Sequence, residues 1–385
     1  MAIQRLTDKE FEQAVLLSCF AFQMSDSEEL RTRAKKGWEQ SVTYGEVTDN
    51  GELLAKLEVI PFHVNVFGTT MKMGGIAGVA SYPEQRRRGL IKQLITHSLK
   101  EMRQEGQILS YLAPFAVGFY RKFGWEIAFN EVTYTFEPSQ FPKSDPTIEG
   151  QMQRAPFTDQ RIRHVYNENA SHGMLVRNDS WWERLEHRYS GTQTALFTNE
   201  AGDPVAYIVY KVQGRHFETE ELVYKDSDGL KALLSFIGQH DSMIKSAEIT
   251  TTASEHLDYF LPDPKTKAES VPYFMARIVD VEAFLKEFPF AKSSDMSFTL
   301  QIEDTYAEWN NQTFAVSIKE GQGSCGVSSE EPTISMSIQT LTSLMLGYRR
   351  PSFYLKQGLI KGDHEAIKRF VSLIPGDEPA LIDFF

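Results

Sequence analysis

Residues 73–92 constrain this chain more than any other stretch, because an apolar strand, a basic turn and an amphipathic helix follow one another there without a spacer. Met73-Gly74-Gly75-Ile76-Ala77-Gly78-Val79-Ala80-Ser81 is built from small and β-branched residues, and its glycines predict a bulge or a close approach of the backbone to another group. Pro83 stops regular pairing. Leu90, Ile91, Leu94, Ile95, Leu99 and Met102 then recur at helical spacing, with Gly106 placed to cap the helix end. The run Gln85-Arg86-Arg87-Arg88-Gly89-Leu90-Ile91-Lys92 opens that helix. Free N–H groups and the positive end of the helix dipole favour an anion at such a place, and Gly89 lets the backbone come close to it. Arg87, Arg88 and Lys92 add charge, and a pyrophosphate-bearing cofactor is the expected occupant. An isolated Arg-Arg-Arg would more often be a solvated turn; the flanking strand and helix favour the binding reading.

Composition narrows the rest. At 385 residues the chain exceeds one ordinary core, so two or three domains are expected. With 41% hydrophobic and 24% charged residues it reads as a soluble globular protein. No apolar run reaches the roughly 20 residues that cross a bilayer, and the first residues carry no secretory core, so a cytoplasmic protein that does not enter a membrane is expected. Two cysteines, Cys19 and Cys325, cannot build a disulfide framework or a four-thiolate site, and the nine histidines lack ligand spacing, so no metal is implied. A net charge of −12 disfavours nucleic acid and anionic membrane surfaces, and it attracts cations. An anionic cofactor then needs a local basic cluster, which Arg86 to Lys92 supplies.

Three segments follow from the patterning: 1–149, 150–285 and 286–385. In the first, which thins out near Pro146, Thr7 and Glu10 predict a capped helix through Leu16, Leu17 and Phe20. Strands are expected at Val42 to Val47, Leu53 to Pro61 and His63 to Phe67, with a hairpin turn at Asp49-Asn50-Gly51-Glu52. After the basic loop and its helix, Ile108 to Leu112 reads as a strand, and Pro114 to Glu126 as loop, short helix, glycine stop and strand. The second segment repeats the plan, with Ala195 to Tyr210 as strand, turn and strand, Glu220 to Tyr224 as the strand before the loop, and Leu230 to Ile237 as the helix. Its loop, Lys225-Asp226-Ser227-Asp228-Gly229, places acids where phosphate needs donors, and two carboxylates would repel a pyrophosphate. The third segment alternates strands (Ser297 to Ile302, Gln312 to Ile318) and Gly321-Gln322-Gly323 turns with helices near Ile338 to Leu346 and His364 to Val371.

Arg86-x-x-Gly89 between strand and helix, with Tyr120-Arg121-Lys122-Phe123-Gly124 downstream, resembles the coenzyme A signature of the Gcn5-related N-acetyltransferases, although Ile91 stands where that pattern has Gly or Ala. Two such halves, the second degenerate, followed by a segment that resembles a sterol-carrier-protein-like domain and ending in Asp383-Phe384-Phe385, are similar over the whole chain to the Eis (enhanced intracellular survival) acetyltransferases. The resemblance implies a mixed α/β fold of the α+β kind: tandem acetyltransferase folds plus the C-terminal domain. It implies acetyl-coenzyme A as cosubstrate and a small cationic amine, such as an aminoglycoside or other polyamine, as acceptor. It also implies a homo-oligomer, a hexamer in that family. The cosubstrate would lie on Val79, Ala80, Ser81, Arg86, Arg87, Arg88, Gly89, Leu90, Ile91, Lys92, Phe115 and Ala116. Tyr120 would donate a proton to the leaving thiolate, and the carboxylate of the last residue, Phe385, would accept one. Reference pKa values of roughly 10 for a phenol, 8.5 for a thiol and 3.3–3.7 for an α-carboxyl allow both assignments at neutral pH.

Other readings stay open. Tyr120 and its aromatic neighbours could simply pack, and Phe384 and Phe385 could plug an apolar gap. Asp26, Glu28, Glu29 and Asp383 could line a polycation pocket but read first as solvated acids, and Trp181, Trp182 and Tyr189 read as core or interface. The acceptor could be a protein lysine. A lipid-binding or regulatory protein with relic acetyltransferase folds is the non-enzymatic alternative, since the last segment taken alone suggests a lipid cavity.

Overall fold

The computed structural model describes residues 2–142, 148–261, 263–292 and 295–385. The expected thinning of the first segment at Pro146 lies outside them. The described chain divides into two compact units: 1–128 with 274–377 and 384–385, and 129–273 with 378–383.

The first unit opens with β1 (Ala2–Arg5), α1 (Phe11–Phe22), α2 (Glu28–Gln40), β2 (Val42–Val47), β3 (Leu53–Val66), β4 (Thr69–Ser81), α3 (Leu90–Gln104), β5 (Leu109–Leu112) and α4 (Val117–Arg121). Thr7 does not start α1. It donates to Glu10 Oε2 from both its backbone N–H and its hydroxyl, closing a turn, and the helix begins one turn later. Pro61 does not break the third strand either: β3 runs unbroken through it, pairing residue by residue with β4 up to the tight turn at Gly68, and the proline ring is exposed. Leu57 and Val59 of β3, Ile76 of β4 and Leu94, Leu99 and Met102 of α3 form the core on one face of the sheet. Gly106, at φ +70, ends α3 as expected, and the next amide, Gln107 N, bonds to Met102 O at 2.8 Å.

The chain passes into the second unit within β6 (Glu126–Phe136). That unit adds β7 (Gly150–Arg154), α5 (Gln160–Asn169), α6 (Asp179–Arg188), β8 (Gln193–Asn199), β9 (Pro204–Gln213), β10 (His216–Tyr224), α7 (Ser227–Gly238), β11 (Ser246–Thr252) and most of β12 (Lys267–Ile278). Its sheet runs β6-β11-β10-β9-β8-β7, around a core of Phe136, Ile208, Phe217, Leu230, Leu234 and Ile249. Trp181, Trp182 and Tyr189 are buried.

Back in the first unit, residues 275–278 of β12 pair antiparallel with β5, giving the order β1-β2-β3-β4-β5-β12. The first sheet thus borrows its closing strand, 275–278, from beyond the second unit, while residues 131–136 of β6, which pair with β11, already belong to the second unit. Because of this borrowing the compact units do not follow the contiguous ranges 1–149, 150–285 and 286–385. The rest of the first unit is α8 (Val281–Glu287), β13 (Met296–Glu303), β14 (Thr313–Lys319), β15 (Gln322–Val327), β16 (Ile334–Ser337), α9 (Ile338–Met345), α10 (Pro351–Lys356), β17 (Lys361–Gly362) and α11 (His364–Val371), with a sheet ordered β15-β14-β13-β16-β17. An open concavity of about 590 Å³ on this sheet is lined by Ser297, Thr299, Ser317, Ser324, Glu330 and Glu331 beside Phe298 and Val316.

Candidate active site

The site is built where β4 and β5 part. Their parallel pairing covers Met73–Ile76 against Leu109–Leu112 and stops there, while β4 continues to Ser81. Opposite β3, Lys56 faces Ala80 and Glu58 faces Ala77, so Gly78 and Val79 form a bulge, with Gly78 at φ +55. Ala77, Gly78 and Val79 are half-buried between the buried run Met73 to Ile76 and buried Ala80, so the bulge opens to solvent. The two glycines before it have separate jobs. A Cβ at Gly74 would strike Met102 of α3, and one at Gly75 would sit 2.7 Å from Phe385 Cε2. Gly75 is thus the seat of the last residue, whose ring also lies 4.9 Å from the rings of Phe62 and Phe274. Phe385 is buried; Phe384 is half-exposed, so only one of the two terminal aromatics is an anchor.

Downstream of the bulge, Arg86, Arg87 and Arg88 are exposed, and Gly89 begins α3 at φ +82 with open space around its Cα. No side chain caps this helix, so its first amides face outward beside three guanidinium groups, as an anion requires. Leu90 is buried, so only its backbone can serve a ligand, and Ile91 packs against the same core. Lys92 Nζ lies 5.6 Å from the Tyr306 ring.

The second unit has the same strand, loop and helix order with a different helix start. Its parallel pairing also stops early, after Thr219 and Ile249, at a bulge. But Asp226 caps α7, accepting from Gly229 N at 2.9 Å and so occupying the helix start itself. Past the paired residues, Tyr224 donates to the carboxylate of Glu255, whose pKa burial raises above the ordinary range.

Tyr120 sits in α4, buried, with its ring 5.4 Å from Phe115 and 5.1 Å from Phe119, both edge to face. It shares one cluster with Val79, Leu90 and Ile91, so the structure gathers these sequence-predicted residues around the parting strands. Burial alone raises its pKa, which keeps the phenol protonated at neutral pH. Phe115 is exposed, and Ala116 precedes α4. A residue that sequence reasoning missed holds the end of this helix. Fully buried Arg277 donates to Phe123 O and, at 2.6 Å, to Asp304 Oδ2, and a Cβ at Gly124 would collide with its guanidinium. The only local signal was the glycine stop; the arginine lies 154 residues away.

Asp383 is not a surface acid. It is fully buried in the second unit, accepting from Arg177 Nε at 3.0 Å, Trp181 Nε1 at 2.7 Å and the Tyr166 hydroxyl at 3.1 Å. Arg177 in turn grips Glu221 with both terminal nitrogens, at 3.0 and 2.8 Å. Asp26 pairs with Arg31 on the surface, and Glu28 and Glu29 are exposed in the first turn of α2. Among the described residues no helix is long and apolar enough to cross a membrane, and no group of three or more His, Cys, Asp or Glu could hold a metal ion.

Comparison with known proteins gives three contiguous matches along the chain. Residues 2–128 and 173–278 each match an acetyltransferase (GNAT) domain family, and residues 281–382 match the sterol carrier protein domain family. An uncharacterized N-acetyltransferase of Streptomyces coelicolor is 24% identical over 302 residues, 73% of this chain and 72% of its own. Among solved structures, a conserved protein of unknown function from Enterococcus faecalis is 29% identical and superposes with a TM-score of 0.96, over 100% of this chain and 99% of its own. Eis1 from Mycobacterium abscessus, 20% identical, shares the fold with a TM-score of 0.85 over the full length of both chains.

Proposed function

We propose that the first of this chain's two acetyltransferase (GNAT) domains transfers the acetyl group of acetyl-coenzyme A to an amine of a small cationic acceptor, an aminoglycoside or other polyamine. The observation that carries this reading is the inequality of the two folds. One has an open, uncapped helix start beside Arg86, Arg87 and Arg88, and the other has Asp226 in that place.

The pyrophosphate would lie on the amides after Gly89 and on Arg86, Arg87, Arg88 and Lys92. The pantetheine arm would enter between β4 and β5, against the backbone of Val79, Ala80 and Ser81 and past Phe115 and Ala116. An outward N–H at the bulge would polarise the thioester carbonyl. The acceptor nitrogen forms a C–N bond to the acetyl carbon, the C–S bond breaks, and the electron pair leaves on sulfur. Tyr120 donates its hydrogen bond, and then its proton, to that sulfur. The burial that raises the phenol's pKa also raises that of a thiol in the same surroundings, so the transfer is not opposed by burial of one partner alone. The proton lost from nitrogen goes to the Phe385 carboxylate, directly or through water, and solvent restores both groups.

A homo-oligomer, hexameric as the Eis resemblance implies, working in the cytoplasm, completes the reading. The test is release of free thiol from acetyl-coenzyme A with aminoglycosides, polyamines and lysine peptides as acceptors. Rates highest on the first two support small cations, rates highest on peptides move the acceptor to protein lysine, and no release on any of them contradicts the reading.

A further inference from the structure

On β3, Lys56, Glu58, Ile60 and Phe62 alternate onto one face of the strand, opposite the face that Leu57 and Val59 turn toward α3. That is the face on which Phe385 packs against Phe62. Lys56 and Glu58 are in direct ionic contact, and the two are unequal: the lysine side chain is 2% exposed and the glutamate 27%. Burying an ammonium is costly, and as a purely structural element the pair could be replaced by two apolar side chains without loss. What the arrangement achieves is a carboxylate fixed in place with part of its surface in solvent. Gly78 makes room for it, since a Cβ there would lie 2.5 Å from Glu58 Oε1 and 3.0 Å from Lys56 Nζ. The anion therefore rests against the bulge whose backbone lines the parting of β4 and β5, on the face that carries the chain's last residue.

We propose that Glu58, positioned by Lys56, is the cation-binding group of the acceptor site, taking one ammonium of a diamine or polyamine while a second amine reaches the acetyl group. A carboxylate already in contact with an ammonium acts as a hydrogen-bond acceptor, a role that orients a charged ligand. The inference rests on the acetyl-transfer reading of the same face. It deepens that reading by naming the residue that holds the acceptor's second cationic centre.

Two measurements separate this from the reading beneath it. Calorimetry follows binding of 1,4-diaminobutane to the full-length protein with coenzyme A present, and thiol release compares 1,4-diaminobutane with n-butylamine. For Glu58→Gln, diamine affinity falls at least tenfold, and the diamine-to-monoamine ratio of kcat/KM falls by a similar factor, while acetyl-coenzyme A affinity stays within twofold. The double variant Lys56→Met with Glu58→Met, which removes both charges of the pair together, shows the same loss. Equal diamine affinity in wild type and either variant, a proportional loss on both amines, or no diamine binding by wild type overturns the proposal. Diamine binding that depends on Glu58 in a protein releasing no thiol would support it while contradicting the transfer reading.

Discussion

Replacing Arg177 with methionine keeps an unbranched apolar chain in place but removes the one cation between two buried carboxylates. Arg177, Glu221 and Asp383 have side chains with no exposed surface, and the guanidinium lies 3.7 Å from the centre of the Tyr166 ring. The substitution deletes the two bonds to Glu221 and the bond that Arg177 Nε shares between both carboxylate oxygens of Asp383. Glu221 keeps the Tyr189 hydroxyl at 2.9 Å and the Tyr207 hydroxyl, and Asp383 keeps Trp181 and Tyr166. Breaking a buried pair costs about 3–5 kcal/mol because a charge is left uncompensated, a large share of a typical stability of about 5–15 kcal/mol. Urea unfolding followed by tryptophan fluorescence reads this out, since Trp181 and Trp182 adjoin the cluster. The pH dependence is specific. Burial would raise the Glu221 pKa, but the charge and hydrogen bonds of Arg177, with those of Tyr207 and Tyr189, hold it below its ordinary value. Its contribution is therefore present above the unfolded pKa of 4.5 and is lost as pH falls through the folded value. Asp383 is raised, because burial outweighs Arg177, so its contribution is present below 3.8 and is lost as pH rises through the folded value. Without Arg177 both carboxyls are raised, so the defect of Arg177→Met is greatest near pH 8 and shrinks toward pH 5. A loss under about 1 kcal/mol at pH 7.5, below even the usual cost of breaking such a pair, or a defect that widens on acidification, would refute this account of the cluster.

Three further outcomes are expected around the first unit's site. Tyr120→Phe lowers turnover about 10²-fold or more, the scale of lost general-acid catalysis, while calorimetry shows acetyl-coenzyme A affinity nearly unchanged; unaltered turnover would remove Tyr120 from the mechanism. Two residues added after Phe385 abolish thiol release without lowering the thermal midpoint, and full activity in the extended chain would exclude the terminal carboxylate. Gly75→Val drives side-chain atoms into the seat of the Phe385 ring, so it should cost about 1–3 kcal/mol of stability through overpacking and depress turnover more than acetyl-coenzyme A binding; a variant with wild-type turnover would separate the seat from catalysis.

The parts of the fold legible in the sequence were those written in neighbouring residues. The strand ending at Ser81, the loop through Gly89 and the amphipathic helix after it are local chemistry, and so is Asp226 at the start of α7. What escaped depends on partners far along the chain. The strand beside β5 comes from residues 275–278, after an entire second unit. Arg277 reaches α4 across 154 residues, and Asp383 meets Arg177 across 206, so neither could be told from an ordinary surface charge. Lys56 and Glu58 are alternating strand residues whose place beside Gly78 is set by the β3–β4 register, which neighbouring residues do not encode. Pro61 misled in the other direction, because a proline in a long strand looks like a stop unless the pairing around it is known.

The central claim is that one of two acetyltransferase folds binds the cosubstrate, at the uncapped start of α3. Titration calorimetry of the full-length protein with acetyl-coenzyme A, on wild type and on Arg86→Gln with Arg88→Gln, tests it most directly. One site per chain is expected, weakened at least tenfold in the double variant. Two sites per chain, no binding, or affinity indifferent to both substitutions would contradict it.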